Sequence, residues 1–249
     1  MDRTQEKVVM AYLHPGQVDG AFMESVLDLL IYDMAMHRRI VNGGGRLAVQ
    51  AGTNVAGPRN GLVKKFLEFG EAEWLWMVDS DMTFRPDTLE RLLDQADPQK
   101  APIVGGLCFG FDEHGDIQPT LYGFAGDEHH PQVIRYHEWK PDCMWQVAAT
   151  GGACLLMHRS ALELMRDFDH PRRPEKGFNA AYPWFQETEH DGTPVGEDIT
   201  FCWRAALAGI PVYVNTGVHL GHIKSRELNM DAYFIERGLL TPVKPGSVQ

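Results

Sequence analysis

Cysteine is scarce in this 249-residue chain: Cys108, Cys143, Cys154 and Cys202 are the only four. None of them forms a CxxC pair, so a zinc ribbon or a thioredoxin-like redox motif is excluded. Cys108, Cys154 and Cys202 lie inside apolar runs, where a thiol packs as a small hydrophobe. Basic runs are absent as well, nothing exceeding a pair such as Arg38-Arg39, Lys64-Lys65 or Arg172-Arg173. Lys plus Arg is 23 against 34 for Asp plus Glu, a net charge of −11. Binding nucleic acid through its phosphates needs the opposite balance or a strongly basic face, so nucleic acid is not an expected partner. No run reaches the roughly 18 apolar residues of a membrane span. The polar start, Met1 to Glu6, followed by the short apolar run Val8 to Leu13, does not read as a signal peptide. The expectation is a soluble, cytoplasmic protein with no membrane span. Internal repeats and linker-like stretches are also missing, which favours one domain.

What is present has an ordinary globular balance, 44% hydrophobic and 23% charged. A chain this long buries about three quarters of its unfolded surface and needs no staples. Through the first 110 residues short apolar runs alternate with helical patterns. Lys7 to Leu13 reads as a strand closed by His14-Pro15-Gly16, and residues 19–40 as a helix stopped by Asn42-Gly43-Gly44-Gly45. Arg46 to Gln50 is a second strand, and Pro58 sits in the first turn of a helix running to Phe69. Trp74 to Val78 is apolar on both faces, as a central strand covered by helices must be. Pro86 opens a helix to Gln95, and Pro102 to Phe109 is another strand. This alternation predicts an α/β fold with a mostly parallel central sheet flanked by helices.

Beyond residue 110 the pattern changes. Strand-like pieces are expected at Gln132 to Trp139, Met144 to Thr150 and Ala153 to Met157. A capping box at Ser160-Ala161-Leu162-Glu163 starts a helix ending near Phe168. Residues 169–195 read as a long loop. Then come a helix from Glu197 to Leu207 stopped by Gly209, a strand from Pro211 to Asn215, a His-rich turn, a short helix near Asn229 to Arg237, and a loose tail over 241–249.

Asp79-Ser80-Asp81 follows directly on the third strand. Side chains at i and i+2 of an extended chain point the same way, so both carboxylates can face one site beyond the sheet edge. That edge, the C-terminal end of parallel strands, is where ligands bind in open α/β sheets, and paired carboxylates there suit a hard cation held against phosphates. A second Asp-x-Asp, at Asp167-Phe168-Asp169, trails a helix and heads a Pro-Arg loop, and reads as solvated surface. Downstream, Gly196-Glu197-Asp198 opens an apolar-periodic helix, where acids also complement the helix dipole. Gly217-Val218-His219-Leu220-Gly221-His222, with Lys224 and Arg226 behind it, can supply imidazole to a metal and cations to a diphosphate.

Taken in order, these pieces resemble the metal-dependent glycosyltransferases of the GT-A fold, family-2-like and similar to compact bacterial and phage-encoded enzymes. The resemblance covers about residues 7–225. It rests on Pro58-Arg59-Asn60, Trp76-Met77-Val78-Asp79-Ser80-Asp81, Thr150-Gly151-Gly152-Ala153-Cys154-Leu155-Leu156, Gly196-Glu197-Asp198-Ile199-Thr200-Phe201-Cys202, Gly209-Ile210-Pro211-Val212-Tyr213 and Gly221-His222. It implies a Rossmann-like GT-A domain over 1–240, with a nucleotide-sugar-binding half (7–109), an acceptor and catalytic half (110–225) carrying a small mixed sheet, and a 241–249 tail. The implied reaction moves a sugar from a nucleotide-diphosphate sugar, a UDP-sugar by family habit, to a hydroxyl of a protein, glycan or small molecule.

The implied cofactor is Mn²⁺ or Mg²⁺, ligated by Asp81 and His222, with Asp79 at the ribose or in the metal's shell. Tyr12, Leu13 and His14 would meet the nucleotide base, Arg59 the base or diphosphate, and Lys224 the diphosphate, beside Asp79 and Ser80. Thr150, Gly151 and Gly152, with Trp145, would face donor sugar and acceptor. Asp198 matches the base position of an inverting enzyme, Glu197 being a second candidate; in a retaining enzyme Asp198 would bind sugar instead. Among the aromatics, Trp145 and Trp184 are the ones expected to be exposed, and Trp139 and Trp203 to be core. The His-rich stretch around Asp127-Glu128-His129-His130-Pro131 matches no family motif and is assigned to the acceptor side. Two rival readings are a haloacid-dehalogenase-type phosphatase, on Asp79-Ser80-Asp81-Met82-Thr83, and a non-catalytic sugar- or nucleotide-binding module.

Overall fold

The computed structural model describes residues 6–41, 47–51, 54–68, 70, 72–112, 115–126, 131–168, 182–190, 192–224 and 227–240. Outside these lie the glycine stop at 42–45, the histidines 129 and 130, most of the 169–195 loop, Asp169, Arg226 and the 241–249 tail.

The first half alternates as the periodicity predicts, except for the unexpected short strand β4: β1 (Val8–His14), α1 (Gly20–Met36), β2 (Leu47–Gln50), α2 (Ala56–Glu68), β3 (Trp74–Asp79), β4 (Met82–Thr83), α3 (Thr88–Leu93) and β5 (Ile103–Leu107). Asp19 caps α1 by accepting the Ala21 amide at 2.8 Å, one of the donors a helix start leaves unpaired. The middle is built of short strands: β6 (Phe109–Phe111), β7 (Ile117–Pro119), β8 (Leu121–Gly126), β9 (Pro131–Arg135), β10 (Met144–Val147), β11 (Ala149–Thr150) and β12 (Cys154–His158). The chain closes with α4 (Arg159–Phe168), β13 (Thr188–His190), β14 (Thr193–Val195), α5 (Glu197–Leu207), β15 (Val212–His219), β16 (Gly221–Ile223), β17 (Glu227–Leu228) and α6 (Met230–Glu236). Gly209, at φ +73°, takes the left-handed turn that ends α5.

Seven strands form the central sheet, in the order β10-β15-β5-β12-β3-β1-β2. Five run the same way; β12 is antiparallel to both β3 and β5, and β10 is antiparallel to β15. The alternation of side chains along β3 explains why it reads as apolar throughout. Leu75 and Met77 face one core layer with α2, α4 and α5, while Trp74, Trp76 and Val78 face the other with α1 and α3. The small sheet β11-β8-β9 is antiparallel, and β17-β16-β4 forms another beside the end of β3. No helix among the described residues is long and apolar enough to cross a membrane.

Several local expectations change. The strand expected over Pro102 to Phe109 breaks at Cys108, whose carbonyl accepts the Thr120 amide at 3.0 Å, and β6 leaves to pair with β7. The Met144 to Thr150 strand likewise splits between two sheets, because the Ala148 amide bonds to Tyr122. Strand β9 ends at Arg135, short of Trp139, and α3 is shorter than its pattern because Pro86 and Asp87 form a turn. Ser160 is not the cap of α4; the helix starts at Arg159, and the His158 ring accepts the Ser160 amide at 3.2 Å instead. The His-rich turn after Asn215 is mostly strand, since β15 continues to His219 and β16 follows at once.

Candidate functional site

Pairing of β1 with β3 sets Leu13 opposite Asp79, so the ends of two parallel strands meet at one edge. β3 stops at Asp79, and residues 80 and 81 turn into β4. The two carboxylates are therefore not held as an extended i, i+2 pair, and each finds its own partners.

Asp81 is fixed by the small sheet. Register His222↔Met82 in β16 and β4 brings His222 across from the turn, and the Ile223 amide donates to the Asp81 carbonyl at 2.7 Å. The Asp81 Oδ2 then lies 2.7 Å from Lys224 Nζ and 3.1 Å from His222 Nε2. Burial pushes this carboxyl up, but hydrogen bonds from His222 and Lys224, with their charges, prevail and hold it at about 2. On the far side of the ring, His222 Nδ1 is 2.7 Å from the Phe109 carbonyl oxygen. A carbonyl can only accept, so Nδ1 carries the proton. Nε2 is then left facing a carboxylate oxygen, and only a second proton or a cation reconciles the two. That donor set, one imidazole nitrogen oriented by a backbone carbonyl and one carboxylate, fits a divalent cation. Among the described residues no group of three or more His, Cys, Asp or Glu is placed to hold a metal, so these residues supply only part of such a shell.

Asp79 is engaged from the opposite side. Its side chain follows Leu75 and Met77 toward α2, where Arg59 Nη2 donates to both of its oxygens at 2.9 and 2.8 Å. Arg59 is only 4% exposed and also lies 3.5 Å from Glu197 Oε1 through Nη1. Its guanidinium stands over the Phe185 ring, 5.6 Å from the centroid. Burial pushes the Asp79 and Glu197 carboxyls up, and the Arg59 charge opposes it in both. Arg59 is thus a buried tie between β3 and α5, and not an open contact for a base or diphosphate.

The third motif closes on this tie. A side chain at Gly152 would begin 1.5 Å from Arg59 Nη1, so only glycine lets the guanidinium lie there. The Gly152 amide is 3.3 Å from Asp198 Oδ2, while Asp198 Oδ1 accepts the Ile199 amide at 2.8 Å in the first turn of α5. Thr150 Oγ1 donates to the Thr120 carbonyl at 2.8 Å, anchoring the same turn to the small sheet. Contacts therefore run from Asp198 through Gly152 and Arg59 to Asp79, two residues along the chain from the cluster of Asp81, His222 and Lys224.

The remaining expected residues scatter. Tyr12 is half-buried and packs edge-on against Phe22 at 5.1 Å; Leu13 is core, so only its backbone faces the edge; His14 lies beside Tyr12 with ring centroids 6.3 Å apart. Ser80 is buried in the turn. Trp145 is half-buried, stacked on Tyr136 at the β10 edge of the sheet, four strands from β3 and so roughly 19 Å away. Trp184 is not exposed: it is 2% accessible and its indole donates to the Leu162 carbonyl at 2.9 Å. Sequence reading missed Phe109, whose carbonyl sets the His222 tautomer, and Phe185, whose backbone is gripped by Asn60 through two 2.8 Å bonds. Asn60 in Pro58-Arg59-Asn60 was the available signal, but its partner lies 125 residues away.

No known family model matches the sequence, and no curated protein does. Solved structures do match. A197 from STIV is 16% identical over 91% of both chains, with a TM-score of 0.54. GalNAc-T7, solved with UDP, GalNAc and Mn²⁺, is 12% identical over 90% of this chain, with a TM-score of 0.52. This chain spans only 45% of that one. A glycosyltransferase involved in glycosylating the major capsid of PBCV-1 aligns at 13% identity over 70% of both chains with a TM-score of 0.33, too distant to weigh. At such identities the likeness defines the fold, which is the α/β GT-A arrangement.

Proposed function

We propose that this chain is a divalent-metal-dependent glycosyltransferase that moves a sugar from a nucleotide-diphosphate sugar, a UDP-sugar in the first instance, to a hydroxyl acceptor with inversion. The observation that carries the reading is the orientation of His222, whose Nδ1 donates to the Phe109 carbonyl and whose Nε2 is thereby turned toward Asp81 at the strand edge where α/β sheets bind ligands. The presence of UDP, GalNAc and Mn²⁺ in the GalNAc-T7 structure, on the same fold, supports the donor class.

Asp81 and His222 would hold the cation, the rest of whose shell falls to diphosphate oxygens. A mixed oxygen and nitrogen set favours manganese over magnesium. When bound, the cation neutralises the charge that develops on the departing nucleoside diphosphate. Lys224, now on Asp81, is free to swing its ammonium onto the diphosphate. Asp79, with both oxygens on Arg59, is suited to accept from ribose hydroxyls through its remaining lone pairs, not to bind the cation. Tyr12, the Leu13 backbone and His14 border the base. The Thr150-Gly151-Gly152 turn, buried against Thr120 and Arg59, would border the donor sugar through the residues it holds in place.

Asp198 is the base. Each of its oxygens accepts one backbone amide, which fixes the carboxylate and leaves a lone pair for the acceptor proton. Glu197 is committed to Arg59 and is the weaker candidate. Asp198→Asn keeps the shape and is expected to lower turnover by roughly 10²- to 10⁴-fold while nucleotide binding survives. Full turnover in that variant would remove Asp198 from the chemistry. The dehalogenase-type phosphatase reading needs Asp79 free to attack phosphorus, and Arg59 occupies both its oxygens.

Thermal unfolding with UDP, GDP or ADP, each with and without Mn²⁺, tests the whole reading. A ligand at a hundred times its dissociation constant adds about 2.7 kcal/mol, a rise of about 5–10 °C for a domain of this size. The expected result is a rise that needs one nucleotide and the metal together. No rise with any nucleotide would end the proposal.

A further inference from the structure

α1 is apolar on two sides. Phe22, Val26 and Leu29 face the core against Val8 and Met10 on β1. The opposite face does not turn polar, as a surface helix should. Leu27, Ile31 and Met34, spaced i, i+4 and i+7, form one stripe and are 54%, 66% and 68% exposed. Leu30 and Met23 continue it down to the core edge. Scattered exposed apolar residues are ordinary, but a contiguous stripe along one helix is a contact surface in want of a partner.

The charges bordering the stripe identify the partner. Glu24 and Asp28 flank its N-terminal half, and both are exposed. Arg38 stands just past its C-terminal end, with its Nε 3.4 Å from the Met34 carbonyl, so its side chain folds back beside Met34. Ile31 lies midway in sequence between Glu24, roughly 10 Å away along the helix, and Arg38, which stands two residues past the helix end at Met36 with a left-handed backbone, φ 57°. Two copies of α1 laid antiparallel about Ile31 set Leu27 of each beside Ala35 of the other, Asp28 beside Met34 and Ile31 on Ile31, with Glu24 of each toward the helix end at which the other carries Arg38. Like charges meet nowhere in that pairing. A two-fold contact requires such self-complementarity, residue i meeting j while j meets i.

We propose that α1 is a self-association surface, and that the chain pairs through it as a two-fold dimer centred on Ile31. The stripe is one helix wide, so the pairing is weak and depends on concentration. None of its residues is one assigned to the Asp79 to His222 edge, and its test does not depend on the proposed activity.

The first measurement is light scattering behind size exclusion over a concentration series of the full chain. The expected mass rises from 28.0 kDa toward twice that value, and Ile31→Glu returns it to the monomer with its unfolding temperature unchanged. Glu24→Arg is expected to weaken the dimer, and Glu24→Arg with Arg38→Glu to restore it. In a Cys143→Ser background, Ile31→Cys should form a disulfide with itself under mild oxidation. Glu24→Cys should cross-link only when mixed with Arg38→Cys. A single 28.0 kDa species at every concentration overturns the proposal, as does a dimer that survives Ile31→Glu or fails to cross-link at Ile31→Cys. A monomer that co-sediments with lipid vesicles and is released by Ile31→Glu would also overturn it, assigning the stripe to a membrane surface instead.

Discussion

Asp81→Ala is expected to abolish sugar transfer and the metal-dependent part of nucleotide binding while leaving the unfolding temperature of the free protein nearly unchanged. The two effects separate because of where Asp81 sits. Its side chain is 38% exposed and so is that of its partner Lys224, at 42%. Exposed ion pairs of this kind contribute about 0–1 kcal/mol. The turn itself is held by backbone, through the Ile223 amide on the Asp81 carbonyl and the β4 to β16 pairing, which alanine keeps. What alanine removes is the one carboxylate facing His222 Nε2. Differential scanning fluorimetry with and without Mn²⁺ and UDP, beside a transfer assay, reads both effects. An Asp81→Ala protein with full, metal-dependent activity would exclude this residue from the cation site.

The second large effect is expected from the smallest change, Gly152→Ala. A methyl group there would start 1.5 Å from Arg59 Nη1 and 2.7 Å from Cζ. Contacts that short force the guanidinium to move, and Arg59, 4% exposed, can move only by giving up its bonds to Asp79 and its packing on Phe185. Moving it separates a buried charge from Asp79 and Glu197. Losing one partner of a buried pair costs about 3–5 kcal/mol, and a domain of this size loses about 2–4 °C per kcal/mol. A drop of roughly 6–20 °C follows from those ranges. Activity should fall with it, because Asp79 loses its anchor and Asp198 loses its contact with the Gly152 amide. A double-mutant cycle with Arg59→Gln separates this clash from a general intolerance of the turn. The two losses should be strongly non-additive if Gly152 acts through Arg59. Additive losses, or a Gly152→Ala protein as stable as its parent, would refute the tie.

Arg59 also shows where sequence reasoning reaches its limit. Pro58-Arg59-Asn60 stands out in the sequence, and a cation near two acidic motifs is naturally assigned to the phosphates of a donor. The chain instead uses that cation to balance its own carboxylates. Nothing local distinguishes the two uses, because both place an Arg on the second helix. Burial decides between them, and burial depends on α5 and the Gly152 turn, which arrive about a hundred residues later. Trp184 is similar: its surroundings look like a loop, yet α4 supplies the Leu162 carbonyl that lets the indole be buried.

The sequence alone determined most of the strands and helices of the first half and the helix that opens on Glu197, because a period of 2 or 3.6 and a capping residue are local properties. Val8–His14, Trp74–Asp79 and Glu197–Leu207 carry such signals, and so does the position of Asp79-Ser80-Asp81 at a strand end. Strand direction and neighbour are not local properties. β12 has the same apolar pattern whether it runs with β3 or against it, and only the tertiary structure inserts it antiparallel between β3 and β5. The same holds for the site. Residues 81 and 222 are joined by the register of β4 on β16, residues 59, 79, 152 and 197 by one buried guanidinium, and the His222 tautomer by the Phe109 carbonyl. Each of these is a contact across more of the chain than any periodicity can encode, so the sequence supplied the groups and the packing assigned them their partners.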